Sequence, residues 1–184
     1  MKSIKNIIVA TLVLTIICAV SAGALALTND ITKDRIASAN RKAEQTAMAK
    51  MIKGAEFKED KVTVKDVEHT YYEAKVNDET KGYIFTLTGK GYGGDLKVMV
   101  GFDPNGTIIG VKVLEANDET PGLGQNVTKN DFLSQFTGGK APLEVKKQIN
   151  AVTGATISSR GVTECVNFAA ELLNEVLEDG QNGK

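Results

Sequence analysis

An uncharged apolar run near the N-terminus constrains this chain more than any other feature. Residues 7–27 read IIVATLVLTIICAVSAGALAL, 21 residues without a charged side chain. As a helix this run is roughly 31 Å long, close to the hydrocarbon thickness of a bilayer. Lys2 and Lys5 precede it, and the positive-inside rule then favours a cytoplasmic segment 1–6 with the rest of the chain outside. The sequence therefore predicts a transmembrane anchor over residues 7–27.

The same run has a second interpretation, a cleaved signal peptide. Residues 22–24 (AGA) and 24–26 (ALA) both have the small-residue spacing of a cleavage site. The run is longer than an ordinary signal-peptide core, which favours a retained anchor. A lipid-modified Cys18 is disfavoured because bulky Ile17 precedes it, where a small residue is expected. Under either interpretation the remaining chain is exported.

Composition excludes several functional classes. Aromatic residues make up 5% of the chain, Trp is absent and the net charge is −1, which disfavours both a base-stacking platform and a basic footprint for nucleic acid. Cys18, Cys165 and the single histidine His69 lack metal-ligand spacing. We therefore expect no nucleic-acid partner, no metal site and no catalytic residues of a stand-alone enzyme.

Hydrophobic periodicity predicts an α+β fold, an antiparallel sheet with flanking helices preceded by one transmembrane helix. Residues 30–53 have helical spacing, which predicts a helical stalk or docking helix over 28–54 and a domain over 55–184. The strand patterns lie at residues 61–69, 71–76, 83–88, 96–102 and 107–114. The turn sequence DPNG at 103–106 joins the last two strands as an antiparallel hairpin.

The positions of the apolar residues also predict which faces of the strands and helices are buried. Alternation places one set of residues on a single sheet face: Leu96, Val98, Val100 and Phe102, then Ile109, Val111 and Val113. A short helix is predicted over 129–136, before a Gly138-Gly139 break. A final helix follows, with Ser158 or Ser159 as its cap. Its apolar stripe runs through Val162, Val166, Ala169, Leu173 and Val176.

A glycine-rich segment, GKGYGG at 89–94, formally fits the dinucleotide-binding pattern GxGxxG. That pattern requires a helix after the glycines, whereas residues 95–102 alternate with the period of a strand. The segment is therefore interpreted as a hairpin turn. Its four glycines also suit a turn that a flat ligand approaches closely.

The segment TGAT at 153–156 leads into the final helix. Free N–H groups at a helix start favour a phosphate, and Thr156 places a hydroxyl at the same point. A capping threonine in an ordinary loop-to-helix junction is the alternative. The segment does not fit the glycine-rich opening of short-chain dehydrogenases, because Ile157 and Ser159 break the glycine spacing that this opening requires. In addition, the chain that follows is long enough for only one helix.

Three segments together resemble a known family. They are 89–94 (GKGYGG), 118–124 (DETPGLG) and 151–159 (AVTGATISS). In order and spacing they are similar to the FMN-binding domain family, and within it to the G subunits of Rnf electron-transport complexes. The C subunits of sodium-pumping NADH:quinone reductases are the related group. The N-terminal anchor also fits, so the resemblance extends over nearly the whole chain.

The resemblance implies a covalent cofactor. In the family, the last threonine of [ST]GAT carries FMN through a phosphoester, which here implies Thr156. A separate flavin transferase attaches it, with FAD as donor and a divalent metal. The recognition loop would be Thr153, Gly154 and Ala155. Candidate flavin contacts in the ETPGLG segment are Glu119, Thr120, Leu123 and Gly124. One departure is Asn150, where the family often has Asp; we expect attachment to survive it.

The function implied is that of a redox relay in the membrane. An Rnf-type complex couples ferredoxin oxidation and NAD reduction to ion translocation, so the overall reaction belongs to the assembly of membrane and redox subunits. An extracytoplasmic FMN-binding redox sensor is the alternative from another class, as is the equivalent quinone-reductase subunit. A purely structural domain, with TGAT as a cap, is the third hypothesis.

Overall fold

The computed structural model describes residues 2–182, which fold into three helices and five strands together with short turns. The elements are α1 (Lys2–Met51), β1 (Glu56–Val64), β2 (Val67–Val76), β3 (Glu79–Lys90), β4 (Asp95–Phe102), β5 (Ile108–Glu115), α2 (Asn130–Leu133) and α3 (Thr156–Asn182). Short 3-10 turns occupy Gly124–Thr128 and Ser134–Phe136. The chain forms two compact units, with the boundary between Ala43 and Glu44.

The first unit is helical, and its apolar side chains are exposed. Large aliphatic residues such as Ile8, Leu14 and Val20 are more than half exposed, which is unfavourable in water and suits a lipid environment. Thr11 and Thr15 donate their hydroxyls to main-chain carbonyl oxygens four residues earlier, so neither adds an unpaired polar group. The helix is long and apolar enough to cross a membrane.

The second unit contains a five-stranded antiparallel sheet in the order β1-β2-β3-β4-β5, as the α+β prediction required. Two-residue turns join the first three strands. Lys65 and Asp66, then Asn77 and Asp78, all have positive φ, which is typical of the type I′ hairpin. The predicted strand over 61–69 was therefore wrong: the chain reverses at Lys65 and Asp66, although neither residue is a strong signal for this turn.

Each face of the sheet has its own hydrophobic cluster. Leu96, Val98, Val100 and Phe102 of β4 all lie in the larger cluster, which confirms the predicted face. The α3 stripe from Val162 to Leu173 packs against the same face, as predicted. Met99 belongs to the smaller cluster on the opposite face, where Met48 and Ile52 cover the sheet.

The prediction for β5 was wrong at one residue. Ile109 lies in the smaller cluster, whereas Val111 and Val113 lie in the larger one. The register explains this, because Gly110 pairs with Gly101 while Ile108 pairs with Phe102. Ile109 is the extra residue of a β-bulge, and a bulge interrupts the alternation of faces.

The final helix begins earlier than its sequence suggested, at the last residue of the TGAT segment. Helix α3 begins at Thr156, so Ser158 and Ser159 lie inside its first turn and do not precede it as caps. Both serines are fully buried. The predicted short helix at 129–136 is present as α2 and the 3-10 turn that continues it.

Candidate functional site

A cavity of about 320 Å³ lies beside the start of α3. Its volume is at the lower end of the roughly 300–1,000 Å³ that small-molecule sites occupy. The lining residues come from all three segments that carried the family resemblance. They are Tyr92, Glu119, Thr120, Leu123, Gly124, Gly154, Ala155 and Ser158. The fold thus joins three motifs that are far apart in the sequence.

The glycine-rich segment forms the turn between β3 and β4, and not a dinucleotide-binding loop. The Gly91 N–H donates to the Gly94 carbonyl oxygen at 2.8 Å, which closes the turn. A Cβ atom at Gly93 would overlap the Asp118 carbonyl oxygen, so the absence of a side chain lets the turn pack onto the next segment. Tyr92 is 73% exposed and forms one edge of the cavity.

Glu119 lies at the meeting point of these segments and is only 1% exposed. Its Oε1 accepts the Gly93 N–H at 3.1 Å, and its Oε2 accepts the Ser158 hydroxyl at 2.6 Å. Gly91 and Gly124 flank the carboxylate so closely that a Cβ at either position would overlap one of its oxygens. A buried carboxylate is costly unless it is hydrogen-bonded, and here both oxygens accept a bond from the protein.

The TGAT loop turns at Gly154, whose φ is +77°. The Ala155 N–H donates to the Val152 carbonyl oxygen, and the Ser159 N–H donates to the Ala155 carbonyl oxygen, both at 2.9 Å. The latter bond is the first of the α-helical pattern in α3. The N–H groups of residues 156–158 precede it and have no acceptor within the helix, so they favour an anion there.

Predicted site residues fall into two groups. Six of the eight line the cavity: Glu119, Thr120, Leu123, Gly124, Gly154 and Ala155. The other two, Thr153 and Thr156, lie next to this lining, where Thr153 is exposed and Thr156 is half-buried as the first residue of α3. Thr156, the first residue of α3, is therefore adjacent in the chain to two lining residues, Gly154 and Ala155.

Sequence reasoning missed two lining residues, Tyr92 and Ser158. An aromatic side chain inside a glycine-rich turn is a signal that points to Tyr92, because the turn otherwise lacks side chains. The sequence predicts Ser158 as a helix cap and places it in the 151–159 segment of the resemblance, but gives it no role at the site. Its role depends on a partner in a distant loop, Glu119, so no local pattern marks it.

Asn150 is held through its backbone. Its N–H donates to Gln135 Oε1 at 2.8 Å, and its carbonyl oxygen accepts from Gln135 Nε2 at 3.2 Å. These two bonds do not use the Asn150 side chain, which belongs to an exposed residue. A second, open cavity of about 340 Å³ lies beside it, also lined by Lys129 and Asp131.

Neither cysteine chemistry nor metal ligation is evident at this site. Burial raises the pKa of the Cys165 thiol to about 11, with a smaller contribution from Glu164, so the thiol stays protonated at neutral pH. Among the described residues, no group of three or more His, Cys, Asp or Glu side chains is arranged to hold a metal ion.

Comparison with known proteins gives the class to which this protein belongs. The profile of the FMN-binding domain matches residues 91–171, and the profile of the RnfG N-terminal region matches residues 1–51. NqrC of Shewanella oneidensis, a crystal structure, has a similar fold, with a TM-score of 0.50 and 24% identity over 61% of this chain and 62% of that chain.

Curated relatives extend over most of the chain. It is 34% identical over 177 residues to the G subunit of the proton-translocating ferredoxin:NAD(+) oxidoreductase complex of Clostridium ljungdahlii, covering 92% of this chain and 93% of that one. It is 34% identical over 187 residues to the G subunit of the Na(+)-translocating complex of Acetobacterium woodii, covering 88% of each. The G subunit of the ion-translocating oxidoreductase complex of Vibrio cholerae is 30% identical, with coverages of 89% and 88%.

The fold and the cavity, with the matching profile, define a membrane protein that contains an FMN-binding domain. The chain belongs to the family of G subunits of Rnf-type ion-translocating oxidoreductase complexes.

Proposed function

We propose that this chain carries FMN as a phosphoester on Thr156 and relays electrons within an Rnf-type ferredoxin:NAD oxidoreductase complex. The single observation that carries the proposal is the position of Thr156, the first residue of α3, next to the lining of the 320 Å³ cavity. The names of the relatives, subunits of ion-translocating ferredoxin:NAD oxidoreductase complexes, support the assignment to such an assembly.

The residues present fit FMN in two respects. The free N–H groups at the start of α3 favour a phosphate, since a helix N-terminus has partial positive charge. The cavity beside them has an exposed Tyr92 and Leu123 at its edge and glycine backbone in its wall, which suits a flat, largely apolar ring. When bound, FMN supplies the redox chemistry, while the protein supplies orientation and electrostatics.

Attachment then requires only a hydroxyl that a second enzyme reaches. In this step the Thr156 hydroxyl loses its proton to a base of a flavin transferase, and its Oγ forms a bond to the phosphorus of the FMN half of FAD. The bond from that phosphorus to the AMP half breaks, and AMP leaves; no electrons are transferred. Thr153, Gly154 and Ala155 present the hydroxyl in a turn at the surface, where Thr153 and Gly154 are exposed.

The proposed layout places the flavin outside the cytoplasm. Residues 1–6 lie in the cytoplasm, residues 7–27 cross the membrane, residues 28–54 form a helical stalk or docking helix, and residues 55–184 form the FMN domain. The lysines before the apolar run and its lack of charge support this orientation. A covalent bond suits that side of the membrane, because a cofactor lost there is not readily replaced.

Intact mass tests the proposal on the full chain made together with a flavin transferase. We expect a mass increase equal to one FMN less one water, because the phosphoester forms from FAD with loss of AMP. We also expect flavin fluorescence that persists in a denaturing gel. Thr156→Val removes both signals, whereas the matched Thr137→Val, at an exposed position outside the recognition loop, retains them. A wild-type protein without flavin, when the transferase modifies a control protein, would contradict the proposal.

Purification from membranes distinguishes a relay from a sensor. We expect an affinity-tagged full chain to copurify with the other membrane and redox subunits of its complex, at a constant ratio across detergent fractions. A flavin-loaded chain that elutes alone under several mild detergents would favour the extracytoplasmic sensor.

A further inference from the structure

The buried carboxylate of Glu119 connects three parts of the proposed flavin site. Through Oε1 it holds the glycine-rich turn at Gly93, and through Oε2 it holds Ser158 in the first turn of α3. Its own backbone begins the ETPGLG loop. We refer to Gly93, Glu119 and Ser158 as the clamp. All three walls of the cavity therefore depend on one side chain.

The surroundings of Glu119 are matched to this role. Gly91 and Gly124 leave space for the carboxylate, because a Cβ at either position would overlap one of its oxygens. Ser158 is fully buried and directs its hydroxyl at the carboxylate. Burial of a charged group is unfavourable unless its hydrogen bonds are satisfied, so the clamp is stable only when the three segments are assembled.

The family resemblance predicts Glu119 as a direct flavin contact, because it implies that the ETPGLG segment lies beside the ring. In the structure each carboxylate oxygen already accepts a bond from the protein, and the side chain is 1% exposed. Ser158 lies two residues after Thr156 in α3, so the clamp also fixes the helix turn from which the cofactor would extend.

We propose that Glu119 is a positioning residue, which fixes the glycine-rich turn and the first turn of α3 at the spacing that the flavin cavity needs. This inference rests on the proposed function, since it concerns the same cavity. Glu119 acts through its two hydrogen bonds: a glutamine can replace both, with its carbonyl oxygen accepting from Gly93 and its amide donating to the Ser158 oxygen.

The test uses the full chain in detergent, made together with a flavin transferase. The variants are Glu119→Ala, Glu119→Gln, Ser158→Ala and, as a matched control, Glu171→Ala at an exposed position of α3. Two properties are measured: amide hydrogen exchange of the 91–94 turn, on protein with and without flavin, and the visible spectrum and fluorescence of the attached flavin.

We expect Glu119→Ala to accelerate exchange in the 91–94 turn by roughly tenfold or more, because a buried hydrogen bond that limits local opening is lost. The 103–106 turn should not change, and the flavin spectrum should move towards that of free FMN. Glu119→Gln should restore both signals to the wild-type values, and Glu171→Ala should leave both unaffected. Ser158→Ala removes only one of the two bonds, so its exchange rate should lie between those of the wild type and Glu119→Ala. It replaces Glu119→Ala in the test if that variant does not fold.

Several outcomes would overturn the inference. One is an exchange rate in Glu119→Ala, or in Ser158→Ala when the former does not fold, equal to that of Glu171→Ala. Another is faster exchange with an unaltered flavin spectrum, which would show that the clamp does not position the cofactor. Failure of Glu119→Gln to restore the signals would assign the effect to charge. Absence of flavin from the wild type would instead contradict the proposed function, and exchange on flavin-free protein would still decide whether Glu119 holds the turn.

Discussion

The two sides of the cavity differ in how firmly the chain holds them. On one side, the clamp residues Glu119 and Ser158 are buried and hydrogen-bonded to each other. On the other side lies a rim, which we define as Tyr92, Leu123 and Gly154; Tyr92 is 73% exposed and Leu123 42% exposed. The clamp holds two of the cavity's segments together, while the exposed rim is the side that a flavin transferase would reach under the proposed function.

This difference has an energetic consequence. Removing one partner of a buried hydrogen bond leaves an unsatisfied polar group and costs about 1–3 kcal/mol. Substitutions at exposed positions usually change stability by less than about 0.5 kcal/mol. Changes on the clamp side should therefore affect folding first, and changes near the rim should affect cofactor attachment first.

The largest effect is expected on the clamp side, at Gly161. A Cβ there would overlap the main-chain carbonyl oxygen of Lys90, at the end of β3, and backbone atoms yield little. We expect Gly161→Ala to lower the free energy of unfolding by about 3 kcal/mol, as overpacking does. Denaturant unfolding of the full chain in detergent measures this.

Gly110→Ala is the matched control, since no atom lies within 4 Å of a Cβ built at that position. It should change the free energy of unfolding by less than about 0.5 kcal/mol. Equal effects of the two substitutions would show that α3 and β3 are not packed as closely as described.

A smaller effect on stability is expected at the rim. Gly154 has φ +77°, so Gly154→Ala should cost about 1–2 kcal/mol of backbone strain. Its Cβ would also lie 2.7 Å from Leu123 Cδ1, a flexible side-chain end that is able to move. We expect this change to reduce FMN attachment markedly, because the turn that presents Thr156 is displaced.

Gly138→Ala provides the comparison, because Gly138 has a similar φ of +79° and nothing within 4 Å of the added Cβ. It should cost the same stability, in thermal unfolding, and leave attachment intact. If both variants lose flavin equally, general destabilisation and not the loop would explain the loss.

The smallest effect is expected at Asn150, outside both the clamp and the rim. Because Gln135 holds its backbone and its side chain belongs to an exposed residue, Asn150→Asp should leave stability within about 0.5 kcal/mol of wild type. It should modestly accelerate attachment, since the family resemblance implies Asp at this position. A time course of FMN incorporation with purified transferase measures the rate, with Asn174→Asp as the control for added charge. A slower reaction in Asn150→Asp would contradict this expectation.

Periodicity predicted those parts of the fold whose residues repeat on one face. The β4 residues Leu96 and Val98 and the α3 stripe are in the expected core, because burial of a face imposes the pattern directly. The turn at Lys65 and Asp66 and the bulge at Ile109 were missed, because backbone conformation at those points is set by pairing with neighbouring strands.

The candidate site, like the fold, was predicted only in part from the sequence. Local chemistry identified Thr156 only as a hydroxyl at a helix start, and the resemblance over three segments was needed to connect it with FMN. The clamp could not be predicted from the sequence, since only the tertiary fold brings Glu119 and Ser158 into contact.

Location of the flavin on the chain tests the central claim most directly. Trypsin cleavage after Lys147 and Arg160 releases one peptide, residues 148–160, which contains every hydroxyl of the loop and first helical turn: Thr153, Thr156, Ser158 and Ser159. Tandem mass spectrometry of this peptide, from full-length protein made with a flavin transferase, assigns the modified residue. We predict one FMN, on Thr156. An FMN on any other hydroxyl, or an unmodified peptide from protein made with a demonstrably active transferase, would contradict the account.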